Sequence, residues 1–291
     1  MKPRLRETRH AGTGRGAKPY LTSDAPALRV TANLISAYAS LSLGRTAPAR
    51  KCLQRPIDDA ESAAPDELLP AFGACVPSTL LHLPAYRTQS LGDIFAQLPE
   101  GLRLCACHMP AHRHHLDGNY ERSVGIIHGA QAMAGFAYVI PGIYLGIMES
   151  IDLMALKRID EAKSVFMRTR QIALPDGLIE GFGEHHGLLS GLIEACLKRD
   201  YPEDYRRAID IAHRFSSGWR RLHGPITEKD VADNLTTTEF SVAMLINRGW
   251  TNHEVAQLLG VSENTIKYHL THAYEKLHIR GRKELGQYML C

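Results

Sequence analysis

In "VSENTIKYHLTHAYEKL", Val261 to Leu277, two kinds of residue recur at helical spacing. Ile266, Leu270, Ala273 and Leu277 would share one stripe of a helix over residues 263–277. Asn264, Lys267, Tyr268, Thr271 and Glu275 fall on the opposite side, with few acids among them. Lys267 can reach a phosphate or a guanine edge, and Asn264 and Thr271 can both donate and accept. The free amides at the start of such a helix favour a phosphate. This chemistry suits the major groove of duplex DNA.

A helix used in this way must be held from behind. Thr236 to Glu239 and Thr251 to Glu254 both read as capping boxes, in which the hydroxyl and the carboxylate each take a free amide hydrogen bond. Ser262 before Glu263 is a third N-cap. Val242, Leu245 and Ile246 follow the first start, and Val255, Leu258 and Leu259 the second. Between the second and third starts lies "LGVS", where Gly260 supplies a left-handed turn and Val261 is expected to pack into the angle. Three helix starts with one tight turn spell a helix-turn-helix. Arg280, Arg282 and Lys283 follow closely and can clamp the phosphate backbone.

A second cluster lies in "CACHMPAHRHH". On a helix, Cys105, His108, His112 and His115 share one face, and thiolate with imidazole suits zinc. One straight helix cannot wrap four ligands around an ion, and Pro110 distorts this one. "EHH", Glu184 to His186, could supply a second element; otherwise these side chains pack in a core or face water. No metal or other cofactor is assigned. Neither HExxH nor GxSxG occurs, and "GTGRGAK" lacks the Lys-Ser/Thr ending of a phosphate loop, so no enzyme is expected.

The formal net charge of +3 over 291 residues does not by itself announce a nucleic-acid partner. Its distribution is more informative. Residues 1–25 and residues 264–283 each carry a net +4, and the second group includes Lys267, Lys276, Arg280, Arg282 and Lys283. The first reads as a basic flexible tail. Six cysteines without a paired framework suit a reducing cytoplasm. The longest run free of charged residues, His, Asn and Gln, Ala132 to Met148, has 17 residues and contains Pro141 and three glycines. It reads as two buried helix pieces joined near Pro141 rather than a membrane span.

From residue 27 to 215 apolar residues recur at three and four, with little strand alternation. "GRTAPAR", "GNYERSV" and "KRIDEAK" align without gaps: a helix-hairpin turn, then Thr46, Tyr120 or Ile159, then the small residue Ala49, Ser123 or Ala162 three later. "DYRRAID" continues the series with Tyr205 and Ala208, at spacings of 74, 39 and 46. The long first spacing leaves room for a degenerate copy near residue 81. Stacked helical hairpins bury one continuous core at such small residues; an unrelated helical bundle is the other reading. The expected organisation is a tail over 1–25, a helical-repeat sensor or partner-binding domain over 26–216, a linker over 217–234 and a helix-turn-helix domain over 235–291.

"LTTTEFSVAMLINRGWTNHEVAQLLGVSENTIKYHLTHAYEKLHIRGRKEL", Leu235 to Leu285, closely resembles a bacterial LuxR-type DNA-binding domain. The matching pieces are "LT..E", "RG.TN.E.A..LG.S..T.K.H" and "KL.I..R.EL". The helical repeats resemble the degenerate tetratricopeptide-like repeats of larger LuxR-type regulators. The resemblance implies an all-α chain ending in a four-helix domain, with Gly281 to Leu290 as the fourth helix. It implies a transcription regulator whose third helix enters the major groove of double-stranded DNA, as a homodimer. Lys267 and Tyr268 fall where the family contacts bases. Thr271 does too, but as a neutral residue where several members have lysine. Thr251, Asn252, Ser262, Thr265 and Arg282 match positions that support the turn or touch phosphates. An unknown small-molecule or protein effector would bind the repeats. The alternative is a helical-repeat adaptor whose C-terminal hairpin packs or dimerises without reading DNA.

Overall fold

The computed structural model describes residues 17–62, 95, 98, 100–134, 138–223 and 235–288. Residues 1–16 of the expected tail, the degenerate copy near residue 81 and residues 224–234 of the expected linker lie outside them. The described residues are helical and contain no strand. The helices are α1 (Pro26–Ser42), α2 (Thr46–Ser62), α3 (Glu100–Leu116), α4 (Tyr120–Ala134), α5 (Val139–Ala155), α6 (Ile159–Ala173), α7 (Glu180–Glu184), α8 (Leu192–Leu197), α9 (Pro202–His223), α10 (Thr237–Asn247), α11 (Asn252–Leu259) and α12 (Glu263–Leu277). Short 3₁₀ turns span Lys18–Tyr20 and Arg282–Gln287. Helix α9 continues into the stretch expected as linker.

The chain forms two compact units: residues up to 113 with 213–224, and residues 114–212 with 225–291. In the first, Ala37, Leu41, Ala49, Leu53, Phe215 and Leu222 form a buried cluster. Gly218 permits the close approach, since a Cβ there would lie 3.0 Å from the Leu41 carbonyl oxygen.

In the second unit α4, α5 and α6 pack in sequence as neighbouring antiparallel helices. Helix α5 is its centre, buried continuously from Leu145 to Met154. Helices α4 and α5 are bounded at Ala134 and Val139, so the break in the uncharged run precedes Pro141. Pro141 instead occupies the first turn of α5, where a missing N–H costs nothing. Met133 and Ile140 are exposed, so burial begins further along α5. No helix among the described residues is long and apolar enough to cross a membrane.

The aligned hairpin turns share one backbone conformation. Gly44, Gly118 and Lys157 all have left-handed φ, of 69°, 75° and 59°. In each, the following amide bonds a carbonyl five residues back: Arg45 to Ser40, Asn119 to His114, Arg158 to Leu153. This is the cap expected where a helix ends in a left-handed residue. The small residues Ala49, Ser123, Ala162 and Ala208 are all 0% exposed. "DYRRAID" departs from the series, because α9 has already begun at Pro202.

The tail of α6 is fastened to the start of α9 by charge. The Arg170 guanidinium donates to Asp204 Oδ2 from Nε at 3.0 Å and from Nη2 at 2.5 Å, and lies 3.6 Å from the Tyr201 ring centroid. Arg170 is buried, so this pair is poorly screened by solvent.

Helices α5 and α6 touch most closely at Gly146. A Cβ there would lie 2.2 Å from Thr169 Oγ1, a buried hydroxyl already donating to the Val165 carbonyl. Gly146→Ala gains about 1 kcal/mol of helix propensity but overpacks a buried β-branched neighbour, at about 1–3 kcal/mol. The clash wins, and urea unfolding should show a lower midpoint at unchanged slope. An equal or higher midpoint would mean that the two helices are not in this contact.

Candidate nucleic-acid interface

The helix-turn-helix is built from three capped starts. Thr236 Oγ1 accepts the Glu239 amide at 3.2 Å while Glu239 Oε2 accepts the Thr236 amide at 2.7 Å. Thr251 and Glu254 repeat this box at the same two distances. Ser262 Oγ accepts the Thr265 amide at 3.1 Å. Between α11 and α12, Gly260 is left-handed, with φ 67° and ψ 35°. Val261 is 42% exposed, so it does not pack into the angle as expected. The angle is closed instead by Val255, Ala256 and Leu258 on α11 and by Ile266 and Leu270 on α12, all buried.

Helix α12 divides as its period predicts. Ile266, Leu270, Ala273 and Leu277 are buried. Asn264, Lys267, Tyr268 and Thr271 are exposed. Tyr268, 61% exposed, has its ring edge-on to His272 at 4.3 Å. The Thr271 hydroxyl donates to the Lys267 carbonyl at 3.0 Å, leaving its oxygen as an acceptor toward a ligand. No carboxylate is paired with the Lys267 ammonium among the described residues.

The remaining candidates separate into groups. Thr251 and Asn252 lie at the N-terminal end of α11, where backbone amides point outward. Ser262 and Thr265 bond each other, Oγ to Oγ1 at 2.8 Å, so their hydroxyls chiefly hold the start of α12. Arg280 is exposed. Arg282 donates from Nε to the Ile246 carbonyl at 3.3 Å and from Nη2 to the Trp250 carbonyl. It therefore ties the last turn to the α10–α11 corner. Lys276 is likewise occupied, 2.7 Å from Glu239 Oε2. Burial alone would raise the Glu239 pKa, but the bond from Lys276 and those at Thr236 bring it below its ordinary value. The exposed cations of the basic stripe are Lys267, Arg280, Arg282 and Lys283, of which Arg282 also bonds backbone carbonyls. The segment expected as a fourth helix is the 3₁₀ turn Arg282–Gln287, with Gly286 against Asn247.

Two arrangements had no signal in sequence spacing. His253 Nδ1 lies 2.9 Å from Glu263 Oε1, joining α11 to the first turn of α12 across the loop. Further, α10 and α11 pack within the same compact unit as residues 114–212. Ser241 donates to Glu194 Oε1 at 3.1 Å, and His186 Nε2 lies 2.9 Å from the same oxygen. Burial would raise the Glu194 pKa, but the charge of His186 and the bonds from His186, the backbone and Ser241 hold it below the ordinary value. Arg248 donates to the Leu188 carbonyl at 3.1 Å and to Ser190 Oγ. Gly191, left-handed at φ 82°, leaves room for Leu259 and Leu245. Lys157 Nζ lies 2.8 Å from Glu254 Oε1 and 5.7 Å from the Trp250 ring centroid. The outer face of α12 stays exposed in this arrangement.

The four candidate ligand residues of the histidine-rich helix do not converge on one point. Cys105 is exposed, whereas His115 is buried and turned to Asp152, Nδ1 to Oδ1 at 2.8 Å. Burial, the largest influence, leaves the Asp152 pKa above its ordinary value despite the bonds from His115 and Ser123. The His108 and His112 rings meet edge-on at 5.9 Å, one helical turn apart.

Comparison with known proteins places this geometry. Residues 233–289 match the family of bacterial regulatory proteins described as luxR family. The HTH-type transcriptional regulator MalT of Vibrio cholerae is 32% identical over 154 residues, covering 49% of this chain and 17% of MalT. That of Vibrio campbellii is 27% identical over 154 residues, 47% of this chain and 17% of MalT. The probable transcriptional regulatory protein SgaR of Hyphomicrobium methylovorum is 40% identical over 53 residues, 18% of this chain and 25% of SgaR. The MalT alignments run well beyond the helix-turn-helix. The chain spans about a sixth of the length of these MalT proteins. No solved structure matches it significantly. Residues 233–289 are a helix-turn-helix domain of the luxR family of bacterial regulatory proteins.

Proposed function

We propose that the chain is a sequence-specific, double-stranded DNA-binding transcription regulator. The observation that carries this is the division of α12, whose apolar stripe is buried while Asn264, Lys267, Tyr268 and Thr271 face outward. The outward face enters the major groove, with Lys267 and Tyr268 at base edges. The amide end of α11, at Thr251 and Asn252, meets one phosphate strand, and Arg280 and Lys283 meet the backbone beyond α12. The protein acts in the cytoplasm as a homodimer on a partly palindromic site. The helical hairpins receive the signal, through a small molecule or a partner protein, and no step of this function needs catalysis.

The test is selection of genomic fragments by the full-length protein at roughly physiological salt. A shared short motif is expected. Lys267→Ala should weaken binding to it by about 1–3 kcal/mol and relax preference at one or two base pairs. Lack of enrichment by both the full chain and residues 230–291 alone would leave the adaptor reading instead.

Arg282→Ala tests a different role. Its guanidinium holds two backbone carbonyls, so the variant should lower the thermal midpoint and weaken binding equally on all sequences. A variant with unchanged melting and a shallower salt dependence would make Arg282 a phosphate contact instead.

A further inference from the structure

Lys157 stands at the turn between α5 and α6 with φ 59°. The two turns aligned with it carry glycine at that position, Gly44 and Gly118, at φ 69° and 75°. A left-handed backbone strains any side chain with a Cβ and costs glycine nothing. A lysine held there directs attention to what its side chain does.

Its ammonium reaches the helix-turn-helix. Nζ is 2.8 Å from Glu254 Oε1, and the other oxygen of that carboxylate accepts the Thr251 amide at 2.7 Å and the Thr251 hydroxyl at 3.0 Å. The ammonium is therefore one carboxylate away from the amide end of α11. Its side chain remains 50% exposed, partly over the Trp250 ring. Bonds from Lys157, foremost, and from Thr251 bring the Glu254 pKa down to about 2, so this carboxylate stays charged at any pH used for binding. Unopposed, that charge would repel a phosphate approaching Thr251 and Asn252. Lys157 cancels it and keeps donors turned to solvent.

We infer that Lys157 is a DNA-backbone contact supplied by the helical hairpin, extending the phosphate footprint beyond the helix-turn-helix. The inference rests on the proposed DNA-binding function, with the amide end of α11 facing one strand. The ligand is a phosphate of duplex DNA, so the contact adds affinity without base preference.

The experiment measures duplex binding by full-length protein across a salt series, on a selected site and on an unrelated sequence. Lys157→Gly relieves the strained turn, so it should melt no lower than the parent. It should bind both duplexes roughly three- to tenfold more weakly at about 0.1 M salt, with a slope shallower by about one. Lys157→Arg should restore the slope. Glu254→Gln keeps a group able to complete the capping box with Thr251 and removes the opposing charge, so it should bind as tightly as the parent or more tightly. An unchanged slope in Lys157→Gly overturns the inference while leaving the function standing. Glu254→Gln weakened as much as Lys157→Gly also overturns it, since the pair would then act only by positioning α11. A parent chain that binds neither duplex overturns the inference, and if residues 230–291 alone also bind neither, the function falls with it.

Discussion

The rest of the molecule depends on how α12 is divided. A helix presents one stripe to a core and the opposite stripe to solvent, and a 15-residue helix is marginal alone in water. Ile266, Leu270, Ala273 and Leu277 are sealed against α10 and α11, which hold α12 from behind. Lys267, Tyr268 and Thr271 can then stand outward on a rigid support. Caps at Thr236, Thr251 and Ser262 fix where each helix begins, and Gly260 fixes the turn. Loss of the buried stripe would leave the outward residues with the same chemistry but no fixed geometry.

Support continues below the helix-turn-helix. Glu194 is nearly sealed from water, yet it accepts from Ser241 and faces His186. A buried charge is tolerable only when paired and hydrogen-bonded. Here the partners come from opposite sides of the packing between α8 and α10. Arg248 adds donors to the Leu188–Ser190 turn, and Lys157 adds a cation at α11. These polar fastenings have directional geometry, so they specify one arrangement more sharply than an apolar seam would.

Cations near α12 are not equivalent. Lys276 is held by a carboxylate, and Arg282, although exposed, is held by backbone carbonyls. Lys267, Arg280 and Lys283 face water. A net charge of +4 over residues 264–283 thus overstates the field available to phosphates. Lys157 adds to it from outside the segment, and Glu254 and Glu263 subtract. In the proposed complex with DNA, the exposed set rather than the local sum would determine the salt dependence of binding.

Much of this was legible in the chain because it is local. Capping boxes need residues three apart, a buried stripe needs residues three and four apart, and a tight turn needs a residue that tolerates positive φ. Ala49, Ser123 and Ala162 could be read as close-approach positions for the same reason. The uncharged run misled about its joint, because a proline in the first helical turn resembles one at a break. The bonds of Arg282 to the Ile246 and Trp250 carbonyls, the His253–Glu263 pair and the reach of Lys157 to Glu254 had no local signature. The sequence by itself determined where α10, α11 and α12 begin and which stripe of α12 is apolar, since those depend on neighbours a few residues away. Only the tertiary structure decided which cations remain outward and which helices brace the reader, since those contacts join residues with no fixed spacing along the chain.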